Sequence, residues 1–231
     1  MKTVRKHLEK LRTIKKKEYH PLIHKIHKKH KISRKTLFYV KEYGPHTNVP
    51  RTIIKESAKL LVFASIISSF GGLALENIKI IFVSIMPLII LLPILNDMIG
   101  DFGTIVSSKF STMLYENKVN KKWWINRELR KLFLQVIIMS FIMTLISFAM
   151  AFSVSIFSGY ALNTKIILKI FLVEIIDVFL LVNILFLIAI LAGIYFYKKK
   201  EDPNNFLIPI TTSVADFGNM IILSALVILF F

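Results

Sequence analysis

Residues 166–197 read IILKIFLVEIIDVFLLVNILFLIAILAGIYFY, and this stretch decides the fold. An apolar run of about 18 residues or more crosses a bilayer as a helix, and no soluble core can hide one of this length. Glu174 and Asp177 nevertheless lie inside the run, three residues apart and therefore on one helix face. A carboxylate held in hydrocarbon costs at least about 2.5–3.5 kcal/mol on insertion scales, so such groups normally face a polar cavity or a bound cation.

The pattern repeats on both sides of this run. Five spans are expected: about Ala58 to Leu75, Ile78 to Ser107, Leu132 to Phe157, Ile166 to Tyr197 and Phe206 to Phe231. The chain therefore reads as an all-α integral membrane protein, multi-pass in the cell membrane. Ser65, Ser68, Ser69, Gly71 and Gly72 give the first span a small-residue face for close helix packing.

The 231 residues are 55% hydrophobic yet carry a formal charge of +17 at pH 7. Location resolves the conflict: all six His and a large share of the Lys and Arg precede Ser57. Residues 1–55 read as a basic cytosolic segment and residues 56–231 as the membrane domain. The first apolar run begins near Leu60, too late for a secretory signal. The absence of Cys excludes disulfides, thiolate metal sites and thiol catalysis. Lys109, Lys118, Lys121, Lys122, Arg127, Arg130 and Lys131 follow the second span, and Lys198, Lys199 and Lys200 follow the fourth. The positive-inside rule then places the N-terminus in the cytoplasm and the C-terminus outside, with Trp123, Trp124, Tyr195 and Tyr197 near the inner interface.

Three more acids sit at membrane depth: Asp97, Asp101 and Asp216. Asp97 and Asp101 are one turn apart on the second span, just after Pro93. Proline removes a backbone hydrogen bond and frees a carbonyl one turn earlier, near Ile89 and Ile90; at membrane depth a freed carbonyl is tolerated where it lines a cavity. Gly100 and Gly103 thin the wall around Asp101. Asp216 is near the middle of the fifth span, between Pro209-Ile210-Thr211-Thr212-Ser213 and Gly218-Asn219. The nearest Lys and Arg fall at the ends of the runs, where they snorkel to headgroups. The missing positive charge must come from protons, water-filled space or a metal ion. These side chains offer only oxygen, which suits a hard cation such as Mg²⁺ held through one or two carboxylates and its retained waters. The plain alternatives are a hydrogen bond from Asp101 to a nearby Ser or Thr, and a protonated structural pair or an outer vestibule at Glu174 and Asp177.

In the N-terminal segment His20, His24 and His27 recur at helical spacing, a pattern that could bind Zn²⁺ or Ni²⁺. Lys25, Lys28 and Lys29 would repel a cation there. A basic face on anionic lipid headgroups, at about 1 kcal/mol per basic residue, explains the segment without a metal. No nucleic-acid-binding fold accompanies the charge.

Two stretches resemble the membrane domain of MgtE-type and related solute-carrier magnesium transporters. Gly100-Asp101-Phe102-Gly103, followed by Ser107-Ser108-Lys109-Phe110-Ser111-Thr112, is similar to that family's G-N-x-G and S-S-R-L-S-T elements. Asp202-Pro203, then Pro209-Ile210-Thr211-Thr212-Ser213-Val214-Ala215-Asp216, is similar to its DP and P-x-T-T-S-x-x-D entry into the fifth span. The resemblance covers about residues 56–231 and implies a transporter, not an enzyme. It implies a homodimer with a pore between subunits, lined by spans two and five, in which Asp216 binds hydrated Mg²⁺. The expected route admits the ion past Glu174 and Asp177, holds it at Asp216 and releases it by Asp97 and Asp101. Three departures stand out. Asp101 replaces an Asn. The Gly that follows Asp216 comes early, at Gly218, where the bacterial pattern has it one residue later. The bacterial cytosolic regulatory domains have no counterpart here.

The rival from another class is an intramembrane aspartyl protease. Gly100-Asp101 is similar to part of a G-x-G-D element, and Asp177 would supply the second acid of a proton-sharing dyad. Met98 stands where the first Gly belongs, and the two Asp fall at different expected depths. A metalloprotease is excluded by the lack of His in the membrane part. A membrane anchor without transport would leave five buried acids unexplained.

Overall fold

The computed structural model describes residues 49–116, 118–119, 125–160, 163–199 and 202–231. The His20, His24 and His27 pattern, Trp123 and Trp124 lie outside them. The described residues form five helices: α1 (Val49–Ser84), α2 (Met86–Tyr115), α3 (Arg127–Phe157), α4 (Thr164–Lys198) and α5 (Pro203–Phe230). All five contain a segment long and apolar enough to cross a membrane, that of α1 being Leu60–Ser84.

Local sequence explains the starts. Asn126 accepts from the backbone N–H groups of Glu128 and Leu129, at 2.9 and 3.1 Å, and opens α3. Asn163 accepts from Lys165 N–H at 2.9 Å and opens α4. Asp202 accepts from Asn204 N–H at 3.0 Å and opens α5, with Pro203 in the first turn where no donor is needed.

The first connection differs from the one expected from sequence, a first span ending at Leu75 with Glu76 to Lys79 as a short link. Instead α1 continues to Ser84, and the chain breaks at Ile85. Glu76 and Lys79 pair on the exposed side of the helix at 3.6 Å, an i, i+3 arrangement that helices favour. Nothing in that tetrapeptide breaks a helix. Pro87 does, because proline cannot continue the hydrogen-bond ladder and fits a helix best in its first turn.

Helix α5 is the hub, packed on α1, α2 and α4, while α3 lies against α2 and α4. Leu88, Leu91, Leu95, Ile99, Phe110, Leu181, Leu185 and Ile190 form the tightly buried core. Close approach needs small residues. A Cβ on Gly103 would stand 3.0 Å from Thr211 Cβ, and one on Gly193 would stand 2.7 Å from the Phe110 ring. These contacts bring α2 onto α5 and α4 onto α2. Large apolar side chains such as Phe63, Ile80, Phe141 and Leu229 point outward, as a lipid-facing surface requires.

Candidate functional site

Pro93, Asn96, Asp97, Gly100, Asp101 and Thr104 recur at helical spacing along one side of α2. They meet Thr212 and Asp216 of α5 around a cavity of about 400 Å³. Two helices therefore bring three of the five membrane acids, Asp97, Asp101 and Asp216, to one space. The seam behind the cavity is held by Ser107 Oγ and Thr211 Oγ1 at 3.1 Å, both fully buried. Pro209 lacks the N–H that would bond one turn back, and its own carbonyl accepts from Ser213 Oγ at 2.6 Å.

Asp216 is fixed from one side. Asn96 Nδ2 donates to Asp216 Oδ1 at 3.1 Å, and Asn219 Nδ2 donates to Asn96 Oδ1 at 2.7 Å. Asp97 and Asp101 are exposed and also line a second cavity of about 580 Å³ between α2 and α3, with Ser147, Met143 and Met150 opposite.

Glu174 and Asp177 are elsewhere. The structure buries both, at 1% and 0% exposure, inside the helix packing and not on an open outer vestibule. Their i, i+3 spacing on a helix packed from several sides turns their shared face inward. Ser147 of α3 donates to Glu174 Oε1. Glu174 Oε2 and both oxygens of Asp177 are buried without a hydrogen-bond partner. Since Ser147 also lines the α2–α3 cavity, one hydroxyl separates this pair from the space that Asp97 and Asp101 face. Asp177 is fully buried, whereas Asp101 is exposed, and nothing among the described residues links the two as a protease dyad.

Among the described residues the ion pairs are Lys79–Glu76, Lys118–Glu116 and Lys131–Glu128, and none involves a membrane acid. Nor do three His, Cys, Asp or Glu side chains among them converge closely enough to hold a metal ion. The space has room for a hydrated ion. Six waters at about 30 Å³ each fill about 180 Å³, less than half the α2–α5 cavity.

Asn96, Thr104 and Ser147 join this arrangement without having been expected from the sequence. The first two were legible as members of the Pro93–Thr104 stripe. Ser147 had no such signal, because its role depends on how α3 is rotated against α4.

A five-span helical unit with carboxylates free of ion pairs around a cavity open on one side has the features of a membrane ion transporter. Residues 92–226 match the family model MgtE, described as a divalent cation transporter, and the chain belongs to that family. It is a multi-pass membrane protein of a divalent cation transporter family. The match begins inside α2 and includes all five acids. No curated protein and no solved structure matches the chain.

Proposed function

We propose that the protein moves Mg²⁺ across the cell membrane along the face of α2 and α5, through a path completed by a second copy of the chain. The observation that carries this reading is the meeting of Asp97, Asp101 and Asp216 on two helices around one cavity, with no basic side chain lining it. The ion binds with its water shell, Asp216 receiving that shell and Asp97 and Asp101 extending the acidic surface along α2. The scarcity of converging ligands among the described residues of one copy supports both a hydrated ion and a two-fold assembly, in which each site gains the partner's carboxylates. With the N-terminus in the cytoplasm, an interior-negative potential of about 100 mV favours entry by about 4.6 kcal/mol per divalent ion. Glu174 and Asp177, buried behind Ser147, lie off this path. The basic residues that precede the membrane domain contact anionic headgroups of the inner leaflet.

Complementation tests the reading. Asp216→Ala is expected to abolish growth rescue of a Mg²⁺-auxotrophic host at unchanged membrane expression. Rescue equal to the unaltered protein would refute the role given to Asp216.

A further inference from the structure

Asp216 does not stand free in its cavity. Its Oδ1 accepts from Asn96 Nδ2 at 3.1 Å, and Asn96 Oδ1 accepts from Asn219 Nδ2 at 2.7 Å. An ionised carboxylate can only accept, so it draws the amide nitrogen of Asn96 toward itself, and the oxygen left over must then find a donor. Asn219 is that donor. The direction of both amides thus follows from the accepting oxygen at position 216.

Asn219 shows that this arrangement is not incidental packing. It is fully buried, it lines neither cavity, and its own Oδ1 has no hydrogen-bond partner. Leaving a buried acceptor unsatisfied is unfavourable, and natural interiors avoid it. Here the amide keeps the orientation that serves Asn96 and leaves its oxygen unmatched. Asn219 and Asp216 lie on the same helix, three residues apart, whereas Asn96 comes from α2. The bond therefore also ties the two cavity walls together at the level of the carboxylate.

We infer that Asn96 is a positioning residue, locked by Asn219, that fixes the Asp216 carboxylate so that its other oxygen meets the water shell of the transported cation. The inference rests on the reading of Asp216 as the cation-binding acid and adds to it the two residues that set its aim. Preorganising a charged acceptor lowers the ordering cost of binding, so the relay acts on affinity more than on the rate of passage.

The test uses full-length protein in liposomes with an internal Mg²⁺ indicator, and compares Asn96→Ala, Asn219→Leu and the double variant. Leu keeps the branched outline of Asn but cannot donate. Asn96→Ala is expected to raise the apparent KM about tenfold and Asn219→Leu about fivefold, with maximal uptake changed less than about twofold, in keeping with the loss of a hydrogen bond to a charged group. The double variant should be no worse than Asn96→Ala alone, because Asn219 acts only through Asn96. An unchanged KM in the single variants overturns the proposal, and so do effects that multiply in the double variant. If Asn96→Ala does not yield folded protein, Asn96→Ser takes its place in the same cycle. Asp216→Asn, measured alongside, separates the two levels: retained uptake there removes the reading of Asp216 itself, whereas lost uptake with independent Asn96 and Asn219 effects removes only the relay.

Discussion

Replacing Asp216 by Asn isolates its charge from its shape. The amide keeps an oxygen able to accept from Asn96 at the 3.1 Å contact, so the helix packing and the relay geometry survive while the negative charge is gone. The magnitude follows from the spacing a hydrated ion imposes. A Mg²⁺–water distance of about 2.1 Å followed by an oxygen–oxygen hydrogen bond of about 2.7 Å puts the carboxylate oxygen about 4.8 Å from the ion. A divalent ion and a single charge at that distance attract by about 1.7 kcal/mol in bulk water and about 7 kcal/mol at an effective dielectric of about 20. The cavity is open on one side and lies between those limits. Even the weaker figure corresponds to an affinity loss of about 20-fold. Initial-rate uptake by reconstituted protein over a range of Mg²⁺ concentrations reads this as a rise in apparent KM. A KM within about twofold of the original would show that the ion never approaches Asp216, and would refute the reasoning.

Two further substitutions probe the scaffold. Ser147→Ala removes the only hydrogen bond to buried Glu174 among the described residues; leaving a buried acceptor without a partner costs about 1–3 kcal/mol, so the thermal midpoint in detergent should fall by about 2–12 °C, and an unchanged midpoint would contradict that hydrogen bond. Gly193→Val would push side-chain atoms into the Phe110 ring, already 2.7 Å from a Cβ at that site; overpacking of this kind costs about 1–3 kcal/mol or more, and size-exclusion profiles should show aggregation, whereas a monodisperse variant of original stability would mean that α4 does not touch α2 there.

The spans and their acids were legible because hydropathy and charge are local properties. A run such as residues 166–197 declares itself without reference to any neighbour, and an Asp inside a run stands out in the same way. The limits of α1 were harder. Glu76 and Lys79 look like a polar link, but their charges cancel on one helix face, so the break waits for Pro87 and falls at Ile85. Helix rotation decided the rest. Glu174 and Asp177 share a face, as their spacing requires, yet which neighbour covers that face depends on packing set by contacts such as Gly103 on Thr211. The link from Asn219 through Asn96 to Asp216 joins residues 123 positions apart at its widest, and no local pattern could reveal it.

On the proposed function, a hydrated divalent cation occupies the space between α2 and α5. Anomalous scattering from crystals of the purified protein grown with Mn²⁺ in place of Mg²⁺ would test it most directly. A peak is expected bordered by Asp97, Asp101 and Asp216, separated from their oxygens by a layer of water. A peak bound instead at Glu174 and Asp177, or no peak along this face at saturating Mn²⁺, would contradict it.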